Sequence, residues 1–128
     1  MKRKNATLKT WGNSVIVDNE NVAAFDVDWT LIEECPASDS ADKLLDTRTG
    51  EYEYFKPYVE HIKLLKQMKG RGRFIIVWSA GGYLWANSIV KHLGLEKYVD
   101  LVMTKPGVMV DDKPIQEWTT RVYLPKKG

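Results

Sequence analysis

The sequence predicts an α/β domain with a mainly parallel sheet. Short, wholly apolar runs recur at residues 22–25, 74–78, 101–103 and 108–110. Continuous apolar runs are typical of strands that are buried on both faces of a parallel sheet. Segments with helical periodicity separate the first three runs, which is the order of elements in a β-α-β chain.

The first half of the chain predicts strands and turns. Residues 7–17 carry a Gly-Asn turn between β-favouring flanks, which indicates two short strands. A polar turn at 18–21 then leads into the strand at 22–25. Between 33 and 56 the pattern weakens into loops, and a short hairpin is predicted from the alternation of Tyr52, Tyr54 and Phe55.

Two helices are predicted in the second half. The first begins with Pro57 at position N1 and ends at Gly70–Gly72. Its apolar residues recur at helical spacing: Val59, Ile62, Leu65 and Met68. The second helix runs from Tyr83 to Leu93, and Gly94 is its C′ residue. A last strand is predicted at 120–124.

Length and composition favour one domain without disulfide bonds. The chain has 128 residues, which fits a single unit spanning 1–128. It carries 19 basic and 17 acidic residues, and this balance gives no indication of nucleic-acid binding. Cys35 is the only cysteine, so we expect a reducing, cytoplasmic compartment. We expect no signal peptide and no membrane partner, because no apolar run approaches the ~20 residues of a membrane span.

Polar residues follow each of the four apolar runs. In chain order these residues are Asp26 and Asp28, then Ser79, then Lys105, and finally Asp111 and Asp112. Ligands of α/β sheets bind beyond the carboxyl ends of the strands, so we expect these side chains to meet at one edge. Two neighbouring carboxylates repel each other and invite a cation, and Mg²⁺ prefers oxygen ligands. No histidine or cysteine cluster accompanies them, which favours phosphoryl chemistry over zinc chemistry.

The four groups resemble, in order, the four motifs of the haloacid dehalogenase (HAD) superfamily. The matching segments are Asp26-Val27-Asp28-Trp29-Thr30-Leu31, then residues 74–79, then Lys105-Pro106, and then residues 108–112. The resemblance covers about residues 22–115. It implies a Rossmann-like three-layer sandwich with a mainly parallel central sheet.

The resemblance also implies a role for each residue. Asp26 would be the nucleophile that forms an aspartyl-phosphate, and Asp28 the general acid and base. Thr30 would position Asp28. Ser79 and Ala80 would bind the phosphoryl oxygens, and Lys105 would neutralise the negative charge between the nucleophile and the phosphate. Magnesium would be held by Asp26, the Asp28 backbone carbonyl, Asp111 and Asp112. The spacing from Lys105 to Asp111 is short, which places Lys105 in the loop entering the last motif.

Other interpretations of the same residues remain open. Ser79 is also a suitable cap for the helix that follows it, and Asp111-Asp112 is also typical of a plain turn. Trp29 is either part of a pocket wall or a core residue. Residues 33–56 are too few for a typical helical cap, so they predict a minimal or capless member with a short flap. We expect a phosphorylated substrate, either a small molecule or the end of a macromolecule. The alternatives are a phosphate-binding module without turnover and a phosphotransferase.

Overall fold

The computed structural model describes residues 9–11, 14–16 and 19–126. Eight strands and two helices follow one another there, with 3-10 turns at Asn19–Asn21 and Ile115–Glu117. The strands are β1 Lys9–Trp11, β2 Ser14–Ile16, β3 Val22–Asp26, β4 Ile32–Glu34, β5 Asp42–Asp46, β6 Glu51–Pro57, β7 Phe74–Ser79 and β8 Leu101–Thr104. The helices are α1 Val59–Gly70, between β6 and β7, and α2 Tyr83–His92, between β7 and β8. The fold is therefore a small mixed α/β arrangement.

A three-stranded parallel sheet forms the centre, in the order β3-β7-β8. Its register places Asp26 opposite Trp78 and Ser79 opposite Thr104, so the three strands end at the same edge. Both helices contact β7, the middle strand. The core between these elements consists of fully buried residues such as Val27, Leu65, Ile75, Val77 and Ile89.

A second, antiparallel sheet occupies the chain between β3 and α1. Its order is β4-β6-β5, and β5 and β6 form a hairpin in which Asp46 lies opposite Glu51. Phe55 of β6 is completely buried and makes an edge contact with the ring of Trp85 in α2, with 6.5 Å between ring centroids. The antiparallel sheet is therefore packed against the helix that follows Ser79.

Most of the predicted elements are present. Strands β3, β7 and β8, both helices and the hairpin near residues 52–55 are confirmed. The antiparallel pair β1-β2 confirms the two strands predicted within residues 7–17, whose turn lies outside the described residues. Pro57 as residue N1 is wrong: it ends β6 opposite Ile32, and Tyr58 is the N-cap of α1. A proline is tolerated at that place because no further ladder hydrogen bond is needed from its nitrogen.

The predicted strands at 108–110 and 120–124 are wrong. Residues 105–114 contain no regular element, and the exposed fractions of Val108 and Val110 are 83% and 97%. Only residues 105–107 separate β8 from this run, whereas a parallel neighbour needs a crossover of about a dozen residues. The run therefore cannot return to the start of the sheet and add a parallel strand.

In the described part of the chain, neither helix combines the length and the apolar character needed to cross a membrane.

Candidate functional site

The carboxyl edge of the parallel sheet brings together three of the predicted site residues. Asp26 is the last residue of β3, Ser79 is the last residue of β7, and Lys105 follows β8 directly. The Lys105 backbone N–H donates to the Ser79 carbonyl at 2.9 Å, which fixes the loop against the middle strand. The Lys105 ammonium then lies 4.0 Å from Asp26 Oδ1. A carboxylate and an ammonium thus meet across the end of β7.

Asp26 lies in a half-buried position that opposes its ionisation. Burial raises the pKa of Asp26, while the Lys105 charge and the Val27 backbone N–H act in the opposite direction. The neighbouring Asp28 carboxylate adds a smaller repulsion that also raises the pKa. A half-buried carboxylate kept beside a cation is less hydrated than a surface aspartate, and it retains an open path to solvent.

A tight helical turn after β3 positions Asp28. The Val27 carbonyl accepts hydrogen bonds from the N–H groups of Thr30, Leu31 and Ile32 at 3.1, 2.9 and 3.2 Å. Trp29 adopts a left-handed backbone conformation with φ of 61°, and its side chain is half exposed, which excludes the core role. Because the turn is anchored by the fully buried Val27 and Leu31, Asp28 is held next to the sheet edge.

The carboxylate of Asp28 has a direct partner on α2. The indole Nε1–H of Trp85 donates to Asp28 Oδ1 at 3.1 Å. Trp85 is only 6% exposed, so its ring is a rigid support for the carboxylate. Trp85 falls within the helix that the sequence predicts from Tyr83 to Leu93. The pattern of that helix gives no sign of the indole hydrogen bond.

Thr30 contributes its backbone to the site. Its N–H closes the turn on Val27, and its carbonyl lies 2.7 Å from Nδ1 of His61. Asp28 is held by the turn on Val27 and by the Trp85 indole, and the role of Thr30 in positioning it stays a prediction.

Ser79 orders the turn between β7 and α2. Its hydroxyl oxygen accepts a hydrogen bond from the Gly81 N–H at 2.9 Å, and its carbonyl accepts one from the Gly82 N–H at 3.0 Å. The N-cap of α2 is Gly82, so Ser79 is not the helix cap. The Ser79 side chain is almost completely buried, whereas Ala80 is exposed at the tip of the turn.

Asp111 and Asp112 follow the irregular run at 108–110, and the described residues do not group them with Asp26 and Asp28 in one metal-binding cluster. Both are exposed, and Asp111 Oδ1 accepts a hydrogen bond from the Lys113 N–H at 3.0 Å, as in an ordinary aspartate turn. Among the residues that the structure describes, no three acidic, histidine or cysteine side chains are grouped closely enough to hold a metal ion. The oxygen donors present at the edge are those of Asp26 and Asp28. This donor chemistry suits Mg²⁺, which takes one or two protein carboxylates and otherwise water or phosphate oxygens.

Arg48 reaches the same region from the hairpin. The hairpin tip places its guanidinium beside Gly81: a Cβ at Gly81 would lie 3.3 Å from Arg48 Nη2 and 3.2 Å from Ser79 Oγ. Arg48 and Asp28 also line one small pocket of about 80 Å³, together with Trp85. The hydrogen bond to Asp46, with smaller effects of other carboxylates including Asp28, raises the pKa of Arg48. In the sequence, Arg48 lies in the segment 33–56, which predicts only loops and a short hairpin.

Comparisons of the chain with protein-family models, with curated proteins and with solved structures found no match.

Proposed function

We propose that this protein is a magnesium-dependent phosphomonoester hydrolase in which Asp26 is the nucleophile. The observation that carries the proposal is the Lys105 ammonium 4.0 Å from Asp26 Oδ1, across the end of the strand that holds Ser79. The same proposal includes membership of the HAD superfamily, as a minimal or capless type with a Rossmann-like three-layer core. It is supported by three motif-like residues that share one sheet edge in the expected order.

The residues at this edge suit a two-step reaction. An Asp26 carboxylate oxygen attacks phosphorus, the bond from phosphorus to the ester oxygen breaks, and an aspartyl-phosphate forms. Asp28 gives its proton to the departing oxygen. In the second step Asp28 takes a proton from a water molecule, whose oxygen attacks phosphorus, releases inorganic phosphate and restores Asp26. Throughout both steps the Lys105 ammonium offsets negative charge beside the nucleophile.

The positions of these groups suit their roles. The turn that begins at Val27 and the Trp85 indole hold Asp28 two residues from the nucleophile, where it can serve both steps. The burial that raises the pKa of Asp26 reduces the hydration that a nucleophile must shed. The Lys105 charge acts against this effect of burial on the pKa of Asp26 and favours the ionised carboxylate.

Magnesium is part of the proposal. Asp26 and the Asp28 backbone carbonyl would hold the ion, and water and phosphate oxygens would complete its ligands. The bound ion would neutralise charge on the phosphoryl group and orient it.

The proposed substrate is a phosphomonoester that approaches from solvent. Trp29 is half exposed and Ala80 is exposed, so the groups at the sheet edge are accessible. The only insertion between β3 and α1 is the small antiparallel sheet. An edge of this kind admits a small phosphorylated molecule or the phosphorylated end of a macromolecule.

The test is hydrolysis of para-nitrophenyl phosphate with Mg²⁺ and with EDTA. We expect phosphate release that needs Mg²⁺ and that Asp26→Asn abolishes, because the amide is a poor nucleophile. Asp39→Asn is the matched control, since Asp39 is an exposed carboxylate in the loop before β5. Activity in Asp26→Asn equal to that of the wild type would exclude Asp26 as nucleophile. Phosphate binding without turnover of any phosphomonoester would instead favour a phosphate-binding module.

A further inference from the structure

The tip of the β5-β6 hairpin holds Arg48 in a defined place. Its backbone N–H donates to Asp46 Oδ1 at 3.0 Å, and its Nη2 donates to Asp46 Oδ2 at 3.1 Å. The N–H groups of Thr49 and Gly50 both donate to the Asp46 carbonyl, and Gly50 takes the left-handed conformation that closes the turn. Asp46 is only 4% exposed, so the anchor of this tip is a buried carboxylate.

The guanidinium remains largely available for a ligand. The Arg48 side chain is 57% exposed, and its hydrogen bond to Asp46 uses one of the five N–H donors of a guanidinium. Its neighbour on the other side is the Ser79–Gly81 turn, where it lies close to Gly81. The Arg48 guanidinium therefore lies beside the turn that follows β7.

Two cations consequently flank the end of β7 from different parts of the chain. Lys105 comes from the loop after β8 and lies beside Asp26. Arg48 comes from the hairpin and lies beside Gly81, and it is the cation of a small pocket that is also lined by the carboxylates of Asp28, Glu34, Asp46 and Glu53. A phosphomonoester carries two negative charges and several acceptor oxygens, and guanidinium donors match phosphate oxygens in geometry.

We infer that Arg48 is a substrate-binding residue of this site and donates hydrogen bonds to the phosphoryl oxygens of a phosphomonoester dianion. The inference rests on the proposed function and adds a residue that the motif pattern does not contain. In this role the hairpin delivers a second positive charge to the phosphoryl group, in addition to that of Lys105.

The experiment measures binding of inorganic phosphate by calorimetry, in the presence of Mg²⁺, to the full chain and its variants. Arg48→Met should weaken phosphate binding by about tenfold or more, the usual size of a lost hydrogen bond to a charged group. Arg48→Lys should recover part of the affinity, because it keeps the charge and loses the fork of donors. Arg71→Met is the matched control, because Arg71 is an exposed arginine between α1 and β7, at the opposite edge of the sheet.

A purely structural role of Arg48 gives a different result. Asp46→Asn removes the charged anchor of the hairpin tip and keeps the guanidinium, so it should retain phosphate affinity within about threefold if Arg48 binds the ligand. If Asp46→Asn loses as much affinity as Arg48→Met, Arg48 acts only through the hairpin and the inference is wrong. Unchanged affinity in Arg48→Met, or no phosphate binding by the wild type, also overturns it.

Turnover of para-nitrophenyl phosphate separates this inference from the proposed function. A wild type that hydrolyses the ester, together with an Arg48→Met variant of unchanged phosphate affinity, refutes only the role of Arg48. A wild type that binds phosphate through Arg48 without hydrolysing any ester refutes only the hydrolase.

Discussion

His61 fastens the C-terminal segment to the turn that carries Asp28, and its replacement gives a quantitative test of the structure. His61 lies in the first turn of α1 and is 2% exposed. Its Nδ1 is 2.7 Å from the Thr30 carbonyl, and its Nε2 accepts the Leu124 N–H at 2.8 Å. Both contacts are hydrogen bonds only when Nδ1 carries the proton and Nε2 does not.

Aromatic neighbours hold the imidazole ring between these partners. The ring stacks on Tyr58 with 4.4 Å between centroids, and Tyr123 approaches its edge at 4.9 Å. The Tyr58 hydroxyl donates to the Leu124 carbonyl at 2.6 Å, and the Tyr123 hydroxyl donates to the Trp29 carbonyl at 2.9 Å. Burial, the main cause, raises the pKa of Tyr58 to about 12, so its hydroxyl is a donor throughout the neutral range.

The change His61→Phe keeps an aromatic ring and removes both hydrogen bonds. It leaves the Thr30 carbonyl and the Leu124 N–H without these partners in a partly buried place. An unsatisfied group of this kind costs about 1–3 kcal/mol, so the free energy of unfolding should fall by roughly 2–6 kcal/mol. The measurement is urea unfolding followed by tryptophan fluorescence, with comparison of the m-values.

A double-mutant cycle with Tyr58→Phe gives the decisive result. His61 and Tyr58 bind the two backbone groups of the same residue, Leu124. When one of these two hydrogen bonds is lost, the segment around Leu124 is held less firmly, and the remaining hydrogen bond contributes less. The double variant should therefore be more stable than the sum of the two single losses predicts, by about 0.5–3 kcal/mol. A loss below about 0.5 kcal/mol in His61→Phe, or strict additivity, would refute this account.

Three further changes test the site and the fold. Lys105→Met should lower kcat/KM for para-nitrophenyl phosphate by about a hundredfold, through loss of preorganised charge, and activity within twofold of wild type would contradict this. Arg48 lowers the pKa of Asp46 below its ordinary value of 3.8, so the ionised carboxylate stabilises the fold above that pH. The free energy of unfolding of the wild type should therefore exceed that of Asp46→Asn near neutral pH, and this difference should disappear as the pH falls below about 3.8. A difference that stays constant with pH would argue against the pairing of Arg48 with Asp46. Val110→Asp should change the free energy of unfolding by less than about 0.5 kcal/mol, because Val110 is exposed. Val77→Ala, in the core, should lower it by about 2 kcal/mol. A large loss of stability in Val110→Asp would support the predicted strand at 108–110.

The parallel strands and three of the site residues could be predicted because their signals are local. Each of these strands contains a continuous apolar run, and the residue that ends or follows the strand is polar. Burial on both faces was not predicted correctly for β8, in which Leu101 is exposed. Once the strands are parallel neighbours, their ends share an edge without any further information. This is why Asp26, Ser79 and Lys105 were expected near one another and are found there.

The run at 108–110 shows where local signals fail. Its Val-Met-Val composition is that of a buried strand, and the structure leaves Val110 97% exposed. The run does not join the sheet because its connection from β8 is too short for a parallel crossover. The composition of a run contains no information about that connection. The predicted positions of Asp111 and Asp112 depended on this strand and failed with it.

Trp85 and Arg48 could not be assigned from sequence, because their roles depend on pairs distant in the chain. The indole of Trp85 donates a hydrogen bond to Asp28, 57 positions away, whereas the helical pattern predicts only that Trp85 lies in a helix. The run Asp46-Thr47-Arg48-Thr49-Gly50 is typical of a turn, with an aspartate at its start and a glycine suited to positive φ. The sequence therefore predicts this turn, but it does not predict that Arg48 lies beside Gly81.

The two cations near the end of β7 have different structural origins, and this difference matters for how such a site varies. Lys105 is fixed by the sheet itself, since its N–H binds the carbonyl of Ser79 on the middle strand. Arg48 is fixed by a hairpin outside that sheet, through the Asp46 carboxylate. A change in hairpin length would move Arg48 and leave Asp26 and Lys105 in place, because no ladder hydrogen bond joins the two sheets. With the inferred role of Arg48, the tip of the hairpin is therefore the place where ligand preference can change while Asp26 and Lys105 stay in place.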